Sequence, residues 1–204
     1  MIRIGIELNG VVRNINKQIL KYYQKDINPA LDLDDIDEND DVFKYAKFNS
    51  NAARNEFIYI DYPYEIFGVG KTMDKNLARD INNWMIELTN REDEDFEIIY
   101  YSLNEESLTI QSTFFFLSKI GTRVREVFFP KKIDEIWEHC DVVITANDKV
   151  LFNKPEGKKT VKIVNTSNKQ SGTNGDFEYD SLTTIIKDNT FFDKILNSIN
   201  EKKD

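Results

Sequence analysis

The chain has 204 residues, 40% hydrophobic and 12% aromatic. That is enough apolar material for one packed domain, or one domain with a sizeable insertion, and it excludes wholesale disorder. Its 36 acidic and 27 basic side chains leave a formal net charge of −9. This argues against a nucleic-acid binder working through a basic surface and against docking on anionic membranes. One cysteine, Cys140, and one histidine, His139, exclude an internal disulfide framework, a multi-cysteine zinc site and a two-histidine metal motif. No apolar run approaches the ~20 residues that span a bilayer. The first residues, Met1-Ile2-Arg3-Ile4-Gly5, lack the pattern of a signal peptide, so the expected setting is a reducing cytoplasm or a particle assembled there.

Taken in chain order, Ile2 to Leu8 is a short apolar run ending in Asn9-Gly10, which predicts a buried strand and a tight turn. Val11 to Gln24 predicts a helix, with Val12, Ile15, Ile19 and Tyr22 on one side. An Asp-rich loop over 26–41 follows, and Asp40 or Asp41 is placed to cap a short helix through Val42, Phe43 and Ala46. Phe57 to Phe67 is dense in aromatics and broken by Pro63. Asp74 to Leu88 predicts the best helix of the chain, with Leu77, Ile81, Trp84, Met85 and Leu88 on one face and Asn90 to Asp93 ending it.

Strand and helix then alternate. Strands are predicted at Phe96 to Tyr101, Val124 to Phe129, Asp141 to Thr145 and Thr160 to Val164. Helices are predicted at Glu105 to Ile120 (with Gly121 as its stop), Ile133 to His139, Ser181 to Lys187 and Phe191 to Ile199, with one helical turn at Asp148 to Phe152. Asn165 to Gly175 reads as a polar loop. The alternation predicts an α/β fold: a Rossmann-like parallel sheet of about five strands flanked by helices. Residues 12–94 contain no clear sheet strand and read as a helical insertion after the first strand. The core is then 1–11 with 95–204.

The first strand ends Ile6-Glu7-Leu8-Asn9-Gly10-Val11-Val12. This resembles the first motif of the haloacid dehalogenase-like phosphohydrolases, an apolar strand followed by Asp-x-Asp-Gly, and within them the 5'-nucleotidase and deoxyribonucleotidase-like branch found in phages. Tyr100-Tyr101-Ser102 is similar to the second motif, a strand ending in Ser or Thr. Lys131 or Lys132 matches the lysine of the third. Cys140-Asp141-Val142-Val143-Ile144-Thr145-Ala146 matches the fourth, a strand that should end in acidic residues. The inserted region matches the family's cap in position.

The resemblance implies a carboxylate nucleophile, a second Asp as acid and base, and Mg2+ held by the first and fourth motifs. The chain departs from that pattern at the acids. Glu7 keeps a carboxylate but lengthens it by a methylene, and a misplacement of about an ångström can cost ~10²-fold. Asn9 cannot exchange a proton, a role worth ~10²–10⁴-fold. Thr145 and Ala146 offer no carboxylate to a hard cation. Asp148 lies near enough in sequence to be a substitute ligand, with its direction open.

The expectation is therefore a retained fold with degenerate chemistry: no metal and no cofactor, Mg2+ entering only if an enzyme survives. Ser102, Lys131 and Lys132 remain candidates to cradle a phosphate. The alternative is that Ser102 caps the next helix and both lysines are solvated.

Three functions follow. One is a structural or protein-interaction role among other protein subunits, with a phage virion component (capsid, neck or tail) as its concrete form. The bias to lysine over arginine and to asparagine is what AT-rich phage genomes encode. The others are an Mg2+-dependent phosphohydrolase of nucleoside monophosphates and a non-hydrolysing phosphate or nucleotide binder. The expected location is the virion or the host cytoplasm.

Other features read as ordinary structure. Gly68-Val69-Gly70-Lys71-Thr72 lacks the first glycine of a phosphate loop, that position being Glu65. Asp32 to Asp41 lacks the glycine and the final Glu of a calcium loop. Phe57, Tyr59, Tyr62, Tyr64 and Phe67 suit cap-to-core packing or a partner surface. Phe114-Phe115-Phe116-Leu117 suggests a helix buried nearly all round.

Overall fold

A computed structural model describes residues 1–37, 40–89 and 96–200. The expected helix end at 90–93 and the expected core boundary at 94–95 lie outside the described residues. The elements run β1 (Ile2–Glu7), β2 (Arg13–Asn14), α1 (Ile15–Asp26), α2 (Asn51–Glu56), β3 (Lys71–Thr72), α3 (Leu77–Thr89), β4 (Phe96–Tyr101) and α4 (Leu108–Ile120). They continue with β5 (Val127–Phe128), α5 (Ile133–His139), β6 (Val142–Thr145), α6 (Asp148–Phe152), β7 (Lys159–Ile163), β8 (Phe177–Tyr179), α7 (Leu182–Lys187) and α8 (Phe191–Asn200). A 3₁₀ turn at Val42–Lys44 and two π-helical turns at Phe57–Asp61 and Tyr64–Gly68 lie between α1 and β3.

Six strands form one parallel sheet in the order β5-β4-β1-β6-β7-β8. The chain starts at the centre, winds outward through β4 to β5, then returns beside β1 and winds the other way. This is the doubly wound, Rossmann-like arrangement. The sixth strand, β8, is the one beyond expectation: three residues, Phe-Glu-Tyr, behind a long polar loop, too short for a periodic signal. Helix α1 starts at Ile15, later than expected, because residues 8–14 form a turn and then the ribbon strand β2, with Asn14 capping the helix through Lys17 N.

Alternation along the strands divides the core. Ile4, Ile6 and Leu8 face one side with Ile98, Val142, Ile144 and Val161, under α3, α4, α7 and α8. Ile99, Tyr101 and Val143 face the other, under Ile136 and Trp137 of α5 and Val150 of α6. Gly5 lies against this second face because a Cβ there would overlap Cys140 Sγ.

The region between β1 and β4 has its own core. Ile19, Leu20 and Tyr23 of α1 pack with Val42, Phe57, Ile66 and Phe67. Its only described strands, β2 and β3, make a small antiparallel ribbon apart from the sheet. Helix α3, counted with the insertion in the sequence reading, buries Leu77, Ile81, Trp84 and Leu88 in the sheet's core, with Trp84 stacked on Phe192 of α8 at 5.1 Å.

Candidate functional site

The carboxyl ends of β1, β4 and β6 bring the motif residues together. After Glu7 the chain folds back at once: Leu8 O accepts from both Val12 N (3.0 Å) and Arg13 N (2.7 Å), and Gly10 N donates to Arg13 O at 2.9 Å. Gly10 has φ +82°, a left-handed turn position that glycine takes without strain. This turn lays Arg13 beside Asn9.

Glu7 is buried. Its Oε2 accepts from Thr145 Oγ1 at 2.5 Å and from Ala146 N at 3.2 Å. Burial pushes the carboxyl up to about 7, and the hydrogen bonds from Thr145 and the backbone of Ala146 and Asn147 oppose that rise. Tyr101, paired with Glu7 across the strands, carries a buried hydroxyl with no hydrogen-bond partner among the described residues. Burial, then the neighbouring Glu7 charge, hold that phenol well above its ordinary pKa.

Beside Glu7 lies a network that the sequence reading did not foresee. Arg13 is wholly buried and ion-paired to the equally buried Glu105 at 2.5 Å. The guanidinium also donates to Asn9 Oδ1 (3.0 and 2.6 Å), Phe67 O (2.8 Å) and Thr113 Oγ1 (2.6 Å). It sits over the rings of Phe67 and Phe116 at 5.0 and 5.3 Å. Burial lowers the guanidinium's pKa, while Glu105 raises it. Asn9 Nδ2 donates to Ser102 Oγ at 3.0 Å, and Ser102 Oγ donates to Glu105 Oε1 at 2.5 Å. Thr113 donates to the other Glu105 oxygen. Asn9 Oδ1, one N–H of Asn9 Nδ2 and the Ser102 hydroxyl are thus engaged with protein groups.

The other expected positions diverge. Ser102 does not cap α4; the cap position is Ser107, which makes no side-chain cap bond. Lys131, half-exposed, donates to Glu105 O at 3.1 Å and pairs with Glu106 at 3.0 Å rather than with Glu7. Lys132 is exposed at the start of α5. Asp148 faces buried Lys162, with its Oδ1 3.4 Å from Nζ. Ala146 contributes only backbone: its N–H to Glu7 and its carbonyl to Asn168 Nδ2 at 3.0 Å.

The residues present do not fit Mg2+. That ion takes near-octahedral oxygen ligands, usually with carboxylates. Here the one carboxylate of the first motif is capped by a hydroxyl and an N–H, and Asp148 is turned to an ammonium. Among the described residues no three His, Cys, Asp or Glu side chains gather into a metal-holding group.

The remaining motifs resolve into structure. Lys71 of the glycine-lysine segment is exposed on β3. His139 Nδ1 donates to Glu135 O (2.9 Å), and the ring stacks on Phe128 at 4.8 Å. Cys140 is buried, which pushes its thiol up to about 12. Phe57, Tyr59, Tyr62 and Phe67 pack among themselves, Tyr59 stacking on Phe67 at 5.7 Å. Helix α4 corrects its expectation: Phe116 is buried, but Leu108 (53%), Phe114 (51%) and Phe115 (43%) are exposed, and Tyr64 packs its ring on Phe115 at 5.1 Å. No helix in the described residues is long and apolar enough to cross a membrane.

What fold and site define is an α/β protein with a doubly wound parallel sheet, whose central strand ends carry a self-satisfied polar network. No family model matches the chain, and no curated protein matches it.

Proposed function

We propose that the chain is a catalytically degenerate haloacid dehalogenase-like protein that works through protein contacts. The observation that carries this reading is the Arg13–Glu105 pair with Asn9 and Ser102. The residues standing where the family pattern needs an acid–base Asp and a phosphate-binding hydroxyl are committed to a buried ion pair. Opening that network to admit a phosphate would strand a charge, at a cost of several kcal/mol. The inserted region then acts as a packed lid with its own core rather than as a cap over a substrate.

A second observation supports the interaction role. Leu108 and Phe115 of α4 are exposed beside Tyr64 of the insertion, and Leu108 also borders Ile60 (67%), an apolar and aromatic surface of the kind found at interfaces; exposed Phe114 packs instead on Phe129. A subunit of a phage particle is the concrete form of the proposal, in keeping with the lysine- and asparagine-rich composition.

The test is Mg2+-dependent phosphate release from a panel of nucleoside monophosphates. The expected rate equals the protein-free blank. Turnover that disappears in Glu7→Ala would instead establish the phosphohydrolase. A photo-crosslinker at Phe115 is expected to join the chain to a protein neighbour in its native setting, and one at Glu178 is not.

A further inference from the structure

A cleft of about 590 Å³ opens at the same edge of the sheet, between the turn after β1 and the segments that follow β7 and β8. None of Glu7, Asn9, Arg13, Ser102, Glu105 or Thr145 lines it, so it stands apart from the site above. Its volume suits one small molecule.

One wall is built with unusual care. The loop after β7 is polar and rich in Gly, Ser and Asn, yet two buried side chains hold it. Lys162 donates to Asn168 O (2.9 Å), Thr173 O (2.6 Å) and Ser171 Oγ (3.3 Å). Asn168 donates to Ala146 O (3.0 Å) and Ile163 O (2.8 Å) and accepts from Asn165 N at 2.9 Å. A buried ammonium is costly unless its hydrogen bonds are met. Here it is spent on fixing a surface loop in one shape. Thr166 of the same loop donates to Asp37 of the insertion at 2.6 Å, so the wall is braced from both sides.

The lining sets the ligand's chemistry. Asp74 and Asp180 supply carboxylates, and Asp74 is oriented by Thr183 Oγ1 at 2.6 Å. Asn14, Asn165 and Gln170 supply amides, and Lys169 supplies the one cation among the described lining residues. Val11, Met73, Val164 and Leu182 give an apolar floor. The formal charge of this set is one unit negative. Carboxylates need donors from a ligand; the Asn14 and Asn165 amide oxygens already accept from Lys17 N and from Ser167 Oγ and Asn168 N, so these two face a ligand as N–H donors, while Gln170 offers both kinds of group. A phosphate brings acceptors alone and would meet two like charges.

We propose that this cleft binds a small neutral polyol of one or two rings, of the saccharide or nucleoside class, without a phosphate group. Its hydroxyls donate to Asp74 and Asp180 and exchange hydrogen bonds with the amides. Its C–H face lies on the apolar floor.

The experiment is calorimetry on the full chain with glucose, maltose, adenosine, adenosine monophosphate, inorganic phosphate and putrescine. At least one of the three neutral probes is expected to bind at millimolar concentration or below. Asp180→Asn should weaken that probe by about tenfold, the share of one hydrogen bond to a charged group, with the melting temperature unchanged. Lys169→Ala should leave it within about twofold. A saccharide response or an adenosine response then decides between the two classes. The proposal is overturned if no neutral probe binds at millimolar concentration, or if binding survives both Asp180→Asn and Asp74→Asn. It is equally overturned if phosphate or putrescine binds more tightly than every neutral probe.

Discussion

Two halves of one sheet edge are finished in opposite ways. Beyond β1 and β4 the space is filled: Arg13 and Glu105 are buried as a pair, and Asn9, Ser102 and Thr113 meet their remaining bonds. Beyond β7 and β8 the edge stays open, with carboxylates and amides facing solvent across a braced cleft. Both lie at the carboxyl ends of parallel strands, where doubly wound folds place ligands. The difference is who supplies the hydrogen-bond partners. In the filled half the protein supplies them to Arg13, Glu105, Asn9 and Ser102. In the open half water or a ligand does.

The sharpest way to break this contrast is to unpair the filled half. Arg13→Ala leaves Glu105 buried without its cation and is expected to cost about 3–5 kcal/mol in urea unfolding. Glu105→Ala should cost a similar amount. The double variant Arg13→Met with Glu105→Leu should recover most of the loss, since apolar groups need no partner there. Additive losses would mean that the pair is not the unit of stability.

Next comes Glu7. Its unfolded carboxyl titrates near 4.5 and its folded one at about 7, so the folded state holds the proton more tightly. The contribution of this group is therefore complete below 4.5 and is lost as pH rises through about 7. The loss levels off near 3 kcal/mol. Glu7→Gln should flatten the stability profile across that window, read from unfolding midpoints at a series of pH values. An unchanged profile would show that Glu7 titrates normally.

A smaller effect, about 1–3 kcal/mol, is expected for Gly5→Ala, whose new methyl would overlap Cys140 Sγ. Cys140→Ala in the same chain should restore the melting temperature by removing the sulfur. The two changes act on the sheet beneath both halves and leave the cleft untouched, which separates fold from recognition.

The sheet was legible because its strands are short apolar runs set between helices, and β4, α5 and α6 fall where the pattern puts them. The start of α1 was not, because Val11 and Val12 continue an apolar rhythm that the turn at Gly10 interrupts. Strand β5 is shorter than Val124 to Phe129 suggests, as only Val127 and Phe128 reach β4. In the site, Glu7, Ser102 and Thr145 were found because strand ends announce themselves. Arg13 and Glu105 were not, although a lone arginine after Leu-Asn-Gly-Val-Val is a charge amid apolar neighbours. Nothing local says that its partner lies 92 residues away. Apart from the Asp148 carboxylate, the groups that Lys162 meets are backbone carbonyls and a hydroxyl, which carry no pattern at all.

That lysine has a consequence for durability. By composition, residues 165–175 are what a protease cuts first. Tethered from beneath at three points by one ammonium, this segment cannot adopt the extended form a protease cleft requires without first pulling the charge out of its socket. Its resistance to cleavage should therefore track the integrity of the sheet below it, so that the first nick falls elsewhere on the surface.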